Sequence, residues 1–293
     1  MRITVIEPKS YCAGVTNAIN IALKAKDDYP NRQIYILGKL VHNQLVTNYL
    51  NEQGIKTLYD PKRNYFELID MIPTQSVLIF TAHGHDKRLE DYALQHSLLF
   101  LDATCPKVKH NLDLIEKELK ENHQVIYIGH KSHPETEAAL SLDNNVIIYD
   151  VKFGIDYSKL TDPSPLVINQ TTLNIIDIKK NYEDIKAHIP DARILEEICN
   201  TTRLRQEAVI NLPSDVDLII VVGDIYSSNT KRLYEIAQMA HPDTLSVMVS
   251  ELHELDLSLL KEKKHIAIAS GASTPNFAIE EIVNYLNNLE EIK

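Results

Sequence analysis

Cysteine is scarce: the 293 residues contain three, at positions 12, 105 and 199. No two are spaced C-x-x-C, the close pairing that most structural zinc sites use. No segment approaches the apolar length needed to span a bilayer. The first residues, MRITVI, enter a strand pattern at once, without the charged, apolar and small-residue order of a signal peptide. The expected location is therefore the cytoplasm, where thiols stay reduced. There the cysteines are free thiols or metal ligands rather than disulfide partners. A basic surplus is missing too. The formal net charge of −11 argues against a general nucleic-acid backbone binder. Neither a Walker loop nor a G-x-G-x-x-G occurs, so a mononucleotide or nicotinamide site has no support.

What is present is ordinary globular composition, 44% hydrophobic and 24% charged, in a chain long enough for two or three domains. The cysteines lie 93 and 94 residues apart, and other landmarks travel with them. Each follows a short apolar segment: ITVIE, LLFLDA and ARILEEI. Each precedes apolar residues at helical spacing: Val15, Ile19, Ala22; Val108, Leu112, Ile115, Leu119; and Leu204, Ala208, Leu212. A strand pattern then ends on glycine 24 to 26 residues past each cysteine, at Gly38, Gly129 and Gly223. Four residues beyond each glycine stands a polar group: His42, His133 and Ser227. Further strand patterns follow, IKTLYD, NVIIYD and TLSVMVS. Each repeat closes on an apolar run backed by polar residues: VLIFTAHGH, PLVINQTT and HIAIASGAST.

This repetition predicts three similar α/β units with parallel sheets covered by helices. Their expected bounds are 13–97, 98–191, and 192–280 together with 1–12, followed by a C-terminal tail at 281–293. Ligands of such sheets sit at the carboxyl ends of strands, where all the polar landmarks fall. Units facing one another about a pseudo-threefold axis would bring the cysteines and polar sets together.

A cysteine at a helix N-terminus favours thiolate, and Pro106 marks a helix start directly after Cys105. Three thiolates suit zinc with a further ligand, or an iron–sulfur cluster with one iron lacking a protein ligand. As neutral thiols the three cysteines also suit a role as small buried hydrophobes. His83, His85, His130 and His133 fall with His42 at strand ends, and the third repeat offers Ser227, Ser228, Asn229, Ser270 and Ser273. Such a donor-rich set of low formal charge suits a diphosphate that protonates some of the imidazoles, whereas any one histidine taken singly reads first as structural. Glu135 follows His133-Pro134 and either carries protons or supports the first turn of a helix. The hydroxyls of NQTT, residues 169–172, either relay a proton or bond the backbone.

In order along the chain, YCAGV, VHN, AHG, DATCP, GHxxHPE, QTTL, RQEA, SSN and GAS resemble the motifs of the LytB (IspH) family of 4-hydroxy-3-methylbut-2-enyl diphosphate reductases. The resemblance runs over about residues 1–280. It implies an iron–sulfur oxidoreductase of the non-mevalonate (MEP) isoprenoid pathway, with three α/β domains in a trefoil around a central 4Fe-4S cluster. Cys12, Cys105 and Cys199 would hold that cluster and leave one iron open. Groups matching His42, His83, His133, Ser227, Ser228, Asn229 and Ser273 would bind the substrate's diphosphate. Glu135 and Thr171 would deliver the proton and orient the substrate hydroxyl. The implied products are isopentenyl and dimethylallyl diphosphate. The implied partners are the small diphosphate substrate and ferredoxin or flavodoxin as electron donor, with no nucleic acid or membrane. Rival readings of the same residues are a hydro-lyase needing no external electrons and a metal or redox sensor. The chain departs from the family pattern at Ser10-Tyr11, where glycine and phenylalanine are usual, at Asn169 and Thr201, and in GDIY before SSN.

Overall fold

The computed structural model describes residues 1–291. Strand β1 (Arg2–Val5) leads through Cys12 into α1 (Ala13–Asp28). There follow β2 (Ile34–Leu37), α2 (Gln44–Glu52), β3 (Ile55–Leu58), α3 (Tyr65–Ile69), β4 (Val77–Phe80) and α4 (Arg88–Gln95). Strand β5 (Leu99–Asp102) leads through Cys105 into α5 (Pro106–Lys120). Next come β6 (Val125–Gly129), α6 (Pro134–Leu140), β7 (Val146–Asp150), β8 (Leu166–Asn169) and α7 (Asp177–His188). Strand β9 (Arg193–Ile194) leads through Cys199 into α8 (Asn200–Ile210). The chain ends with β10 (Leu218–Val222), α9 (Ser228–Ala240), β11 (Leu245–Val249), β12 (His265–Ser270) and α10 (Asn276–Glu291).

The strands form three four-stranded sheets with one repeated order: β1-β12-β10-β11, β5-β4-β2-β3 and β9-β8-β6-β7. Every pairing is parallel. Parallel sheets are covered on both faces, which is why their inner strands read as unbroken apolar runs. All residues of β2, β4, β6, β8, β10 and β12 are buried. The expected α/β class with three parallel sheets is therefore the observed one. In each sheet one of the two edge strands, β1, β5 or β9, leads to a cysteine. The boundaries expected at 98 and 192 fall just before β5 and β9, whereas pairing carries both strands into the sheet that precedes them.

By contact density the chain divides into two compact units. Met1–Cys12, His42–Val46 and the chain from Cys199 on form the first, which holds the β10 sheet. Ala13–Val41 and Thr47–Ile198 form the second, which holds the β2 and β6 sheets. In the first unit, Leu218, Ile220 and Val222 of β10 and Ile266 and Ile268 of β12 pack with Ile279, Ile282 and Leu286 of α10. Of the segment expected as a tail, 281–293, the described part through Glu291 continues α10, because its apolar residues recur at helical spacing against the sheet. Residues 292 and 293 lie outside the described residues.

In the second unit the β6 sheet is packed on both sides. Val125, Tyr127 and Ile168 meet α5, while Ile126, Ile128 and Val167 meet α7, as the two-residue strand period requires. No helix among the described residues is long and apolar enough to cross a membrane. Glycine at two strand ends has a steric reason. A Cβ on Gly129 would lie 2.5 Å from the Thr136 hydroxyl, and one on Gly223 2.6 Å from that of Thr230. Their absence lets α6 and α9 begin directly above the strands they follow.

Ile220 is fully buried between β12 and β11. Ile220→Ala is expected to destabilise its unit by about 2–5 kcal/mol, measured as a lower midpoint in a denaturant titration.

Candidate active site

Each cysteine stands where an edge strand ends and a helix begins. Cys105 and Cys199 are N-cap residues with nearly identical backbones, φ −57° and ψ 133° against φ −58° and ψ 132°. Cys12 immediately precedes α1. None of the three is in a disulfide among the described residues, and all are half-buried. Asp102 now has a local role: its carboxylate accepts the Thr104 N–H at 2.8 Å and shapes the turn between β5 and Cys105. The Cys105 N–H donates to the Ala82 carbonyl at 2.9 Å, which fastens that turn to the strand beside it. His85 stacks on Phe80 with ring centroids 3.7 Å apart and its Nε2 bonds Glu90 at 3.0 Å, while its buried Nδ1 lies 3.9 Å from Asp102 Oδ1.

In the second unit, the sequence HPE starts α6 with His133 as the N-cap and Pro134 at the first position. His133 Nδ1 accepts the Glu135 N–H at 3.2 Å, so in the neutral ring Nε2 carries the proton. The Glu135 side chain is only 2% exposed. Its Oε1 accepts from the Tyr127 hydroxyl at 3.0 Å and the Thr171 N–H at 2.9 Å. Its Oε2 faces the Thr171 hydroxyl at 2.9 Å. Burial pushes the Glu135 carboxyl up to about 7, even though its bonds from Thr171 and Tyr127 and the nearby Lys107 pull the other way. The Tyr127 hydroxyl is held well above the usual tyrosine range, by burial first and by Glu135 second. The His83 and His133 rings meet edge to face with centroids 5.6 Å apart. The unit thus brings His83, His133, Glu135 and Thr171 together.

The sequence pattern did not single out Tyr127, because a tyrosine within an apolar strand reads as core. Lys107 and Glu197 were missed too. They form an ion pair in the same unit, and nothing in one chain's spacing joins residues so far apart. Asn169 earns its place by structure: its Oδ1 accepts the Tyr182 hydroxyl at 2.9 Å and the Glu197 N–H at 2.8 Å.

In the first unit, Ser227 caps α9, its Oγ accepting the Thr230 N–H at 3.3 Å. Asn229 donates to Thr202 Oγ1 at 3.1 Å and accepts the Ala272 N–H at 3.3 Å. The Ser273 hydroxyl donates to the His42 carbonyl at 3.4 Å. The Cys12 N–H donates to the Ala272 carbonyl at 3.0 Å. Cys12, His42, Asn229 and Ser273 therefore gather at the turn after β12, beside Ser227 and Ser228 at the start of α9. Asp224 of GDIY accepts the Gln44 N–H at 2.8 Å and so holds the loop that carries His42.

The LytB protein family profile matches residues 3–287. The chain belongs to the LytB family. It is 38% identical over 297 aligned positions to a Macrococcus caseolyticus 4-hydroxy-3-methylbut-2-enyl diphosphate reductase, covering 100% of this chain and 91% of that one. To the Bacillus cytotoxicus reductase of the same name it is 40% identical over 293 positions, covering 99% and 91%. Among solved structures, the E-1-hydroxy-2-methyl-but-2-enyl-4-diphosphate reductase of Plasmodium falciparum superposes with a TM-score of 0.86 at 29% identity, covering 97% of this chain and 87% of that one. A second solved structure, of (E)-4-hydroxy-3-methyl-but-2-enyl diphosphate reductase, has a TM-score of 0.69 at 27% identity, covering 98% and 100%.

This LytB chain has Ser10 where the family pattern has glycine, and the backbone there shows why glycine is usual. Ser10 has φ +60°, the left-handed region that costs an L side chain. Its N–H donates to the Ser270 hydroxyl at 3.0 Å and its carbonyl accepts from Arg205, so the conformation is fixed from both sides. Ser10→Gly is expected to keep the fold and raise stability by about 1 kcal/mol, read from the thermal or denaturant midpoint.

Proposed function

We propose that the chain reduces (E)-4-hydroxy-3-methylbut-2-enyl diphosphate to isopentenyl and dimethylallyl diphosphate, the last step of the non-mevalonate pathway. Two electrons and two protons enter and one water leaves. The proposed cofactor is a 4Fe-4S cluster on Cys12, Cys105 and Cys199 with one iron open. Bound there, it supplies single electrons and a Lewis-acidic position that no side chain offers. The donor set fits such a group: three reduced thiols occupy equal positions, two of them N-caps of helices whose dipoles favour thiolate. The buried guanidinium of Arg205, on α8 and bonded to the Ser10 carbonyl, also has a nitrogen, Nη1, with no hydrogen-bond partner among the described residues. Ferredoxin or flavodoxin is the proposed one-electron donor, and the cytoplasm the proposed location.

The observation that carries this reading is the buried pair of Glu135 and Thr171. Hydroxide leaves poorly, so the departing oxygen needs a proton. Oε1 of Glu135 already accepts two donors, one of them a backbone N–H that cannot reverse. In the neutral acid the proton therefore resides on Oε2 and faces the Thr171 hydroxyl. Thr171 can receive it while passing its own proton outward to the substrate oxygen. A carboxyl titrating near 7 is matched to such a transfer at neutral pH.

The diphosphate is assigned to His42, His83, His133, Ser227, Ser228, Asn229 and Ser273. Support is separate in each unit: the α9 N-terminus with Ser227 and Asn229 in one, the His83–His133 pair in the other. Anchoring the diphosphate orients the substrate away from the breaking bond, so that binding energy reduces the entropic cost of reaction.

Anaerobically purified protein is expected to contain iron and acid-labile sulfide; stoichiometric zinc with no iron would overturn the cofactor assignment. Glu135→Gln is expected to retain iron and substrate binding while turnover falls by about 100-fold or more, and undiminished turnover would remove its proton role. Because Glu135 acts as the protonated acid and its pKa is raised to about 7, turnover at saturating substrate should decline as pH rises through that value. The decline should disappear in the residual turnover of the glutamine variant.

A further inference from the structure

The RQEA stretch begins with Arg205, to which the reaction as proposed gives no task. Arg205 lies on α8, six residues after Cys199. It is the largest fully buried side chain among the described residues. Its Nε donates to the Ser270 carbonyl at 3.1 Å, at the end of β12. Its Nη2 donates to the Ser10 carbonyl, two residues before Cys12. The Ser10 N–H in turn donates to the Ser270 hydroxyl at 3.0 Å. One side chain thus joins the helix that starts at Cys199, the loop that ends at Cys12 and the strand between them. Its Nη1 is buried without a hydrogen-bond partner, and no carboxylate among the described residues forms an ion pair with it.

A guanidinium out of water with an unanswered donor and no counter-ion is strongly unfavourable. Such a group persists where an anion offsets it. The groups that act on Arg205 to keep it charged, against the effect of its burial, are Cys12, then Glu7, then Cys199. Glu7 is exposed and engaged with Lys9, which leaves the two half-buried sulfurs as the remaining groups acting in that direction.

We infer that Arg205 is a positioning residue for the proposed cluster, tying the Cys12 and Cys199 segments together and setting its buried positive charge against their thiolates. The inference rests on the cofactor reading above. Reduction adds one negative charge to a cluster already made anionic by its thiolates. A fixed cation beside them favours the reduced form and raises the midpoint potential. Lysine would keep the charge but not the forked reach to two carbonyls.

The test compares wild type, Arg205→Met and Arg205→Lys, each purified anaerobically. Iron and sulfide are measured first, then the midpoint potential by dithionite titration followed by electron paramagnetic resonance. The methionine variant should show a lower potential or fail to retain the cluster, and the lysine variant should recover toward wild type. A methionine variant with full iron and the wild-type potential would overturn the inference, as would a lysine variant no better than methionine. Wild type without iron and sulfide overturns the cofactor reading and this inference together. A loaded wild type with an unmoved methionine variant overturns only the latter.

Discussion

Parallel strand pairing is the constraint from which the rest of the structure follows. It buries both faces of each sheet, which requires continuous apolar strands, and it sends every strand terminus of one kind to the same edge. The polar groups of each repeat leave from that carboxyl edge, so function and stability occupy different parts of the same strand. In β6, Tyr127 and Ile128 lie in the core while Gly129 opens the edge on which α6 and Glu135 are built. One edge strand of each sheet delivers a cysteine to the start of a helix, where the helix dipole favours negative charge.

Two buried ionisable groups answer burial in opposite ways. Glu135 is surrounded by donors, yet desolvation still outweighs them and raises the carboxyl to about 7. A carboxyl at that value can shed its charge by taking up a proton. Arg205 has no such option, because guanidinium stays protonated under any ordinary condition. Its burial therefore calls for a permanent negative neighbour. The first group stores a proton and the second stores a charge, and both sit a short chain distance from strand ends in a protein whose net charge is −11.

Much of this organisation was legible in the amino-acid order. Apolar runs ending on glycine located β2, β6 and β10, because inner parallel strands need apolar residues on both faces. Pro106 and Pro134 marked helix starts, since proline removes only a donor that would be unpaired there. Glu135 and Thr171 were readable as candidates from HPE and QTT. Less legible were the partners that make them work. Tyr127 looks like core and Asn169 like a loop residue, and their bonds to Glu135, Tyr182 and Glu197 cross between separate elements. The pairing of β5 and β9 with earlier sheets was also hidden, because strand patterns state that a segment is extended but not which neighbour it joins. The last helix read as a tail for a related reason: its apolar stripe has meaning only against β10 and β12.

The residue order by itself determined the class of fold, the threefold repetition, the three thiols and the chemical types available at each strand end. These depend on local periodicity and composition, which act over a few residues at a time. Only the tertiary structure decided that Glu135 is dry, that Oε2 is the oxygen facing Thr171, and that Arg205 is sealed in without a carboxylate partner. Desolvation and hydrogen-bond direction are properties of the space around a group. That space is enclosed by residues from distant parts of the chain, so no spacing within one segment can express it.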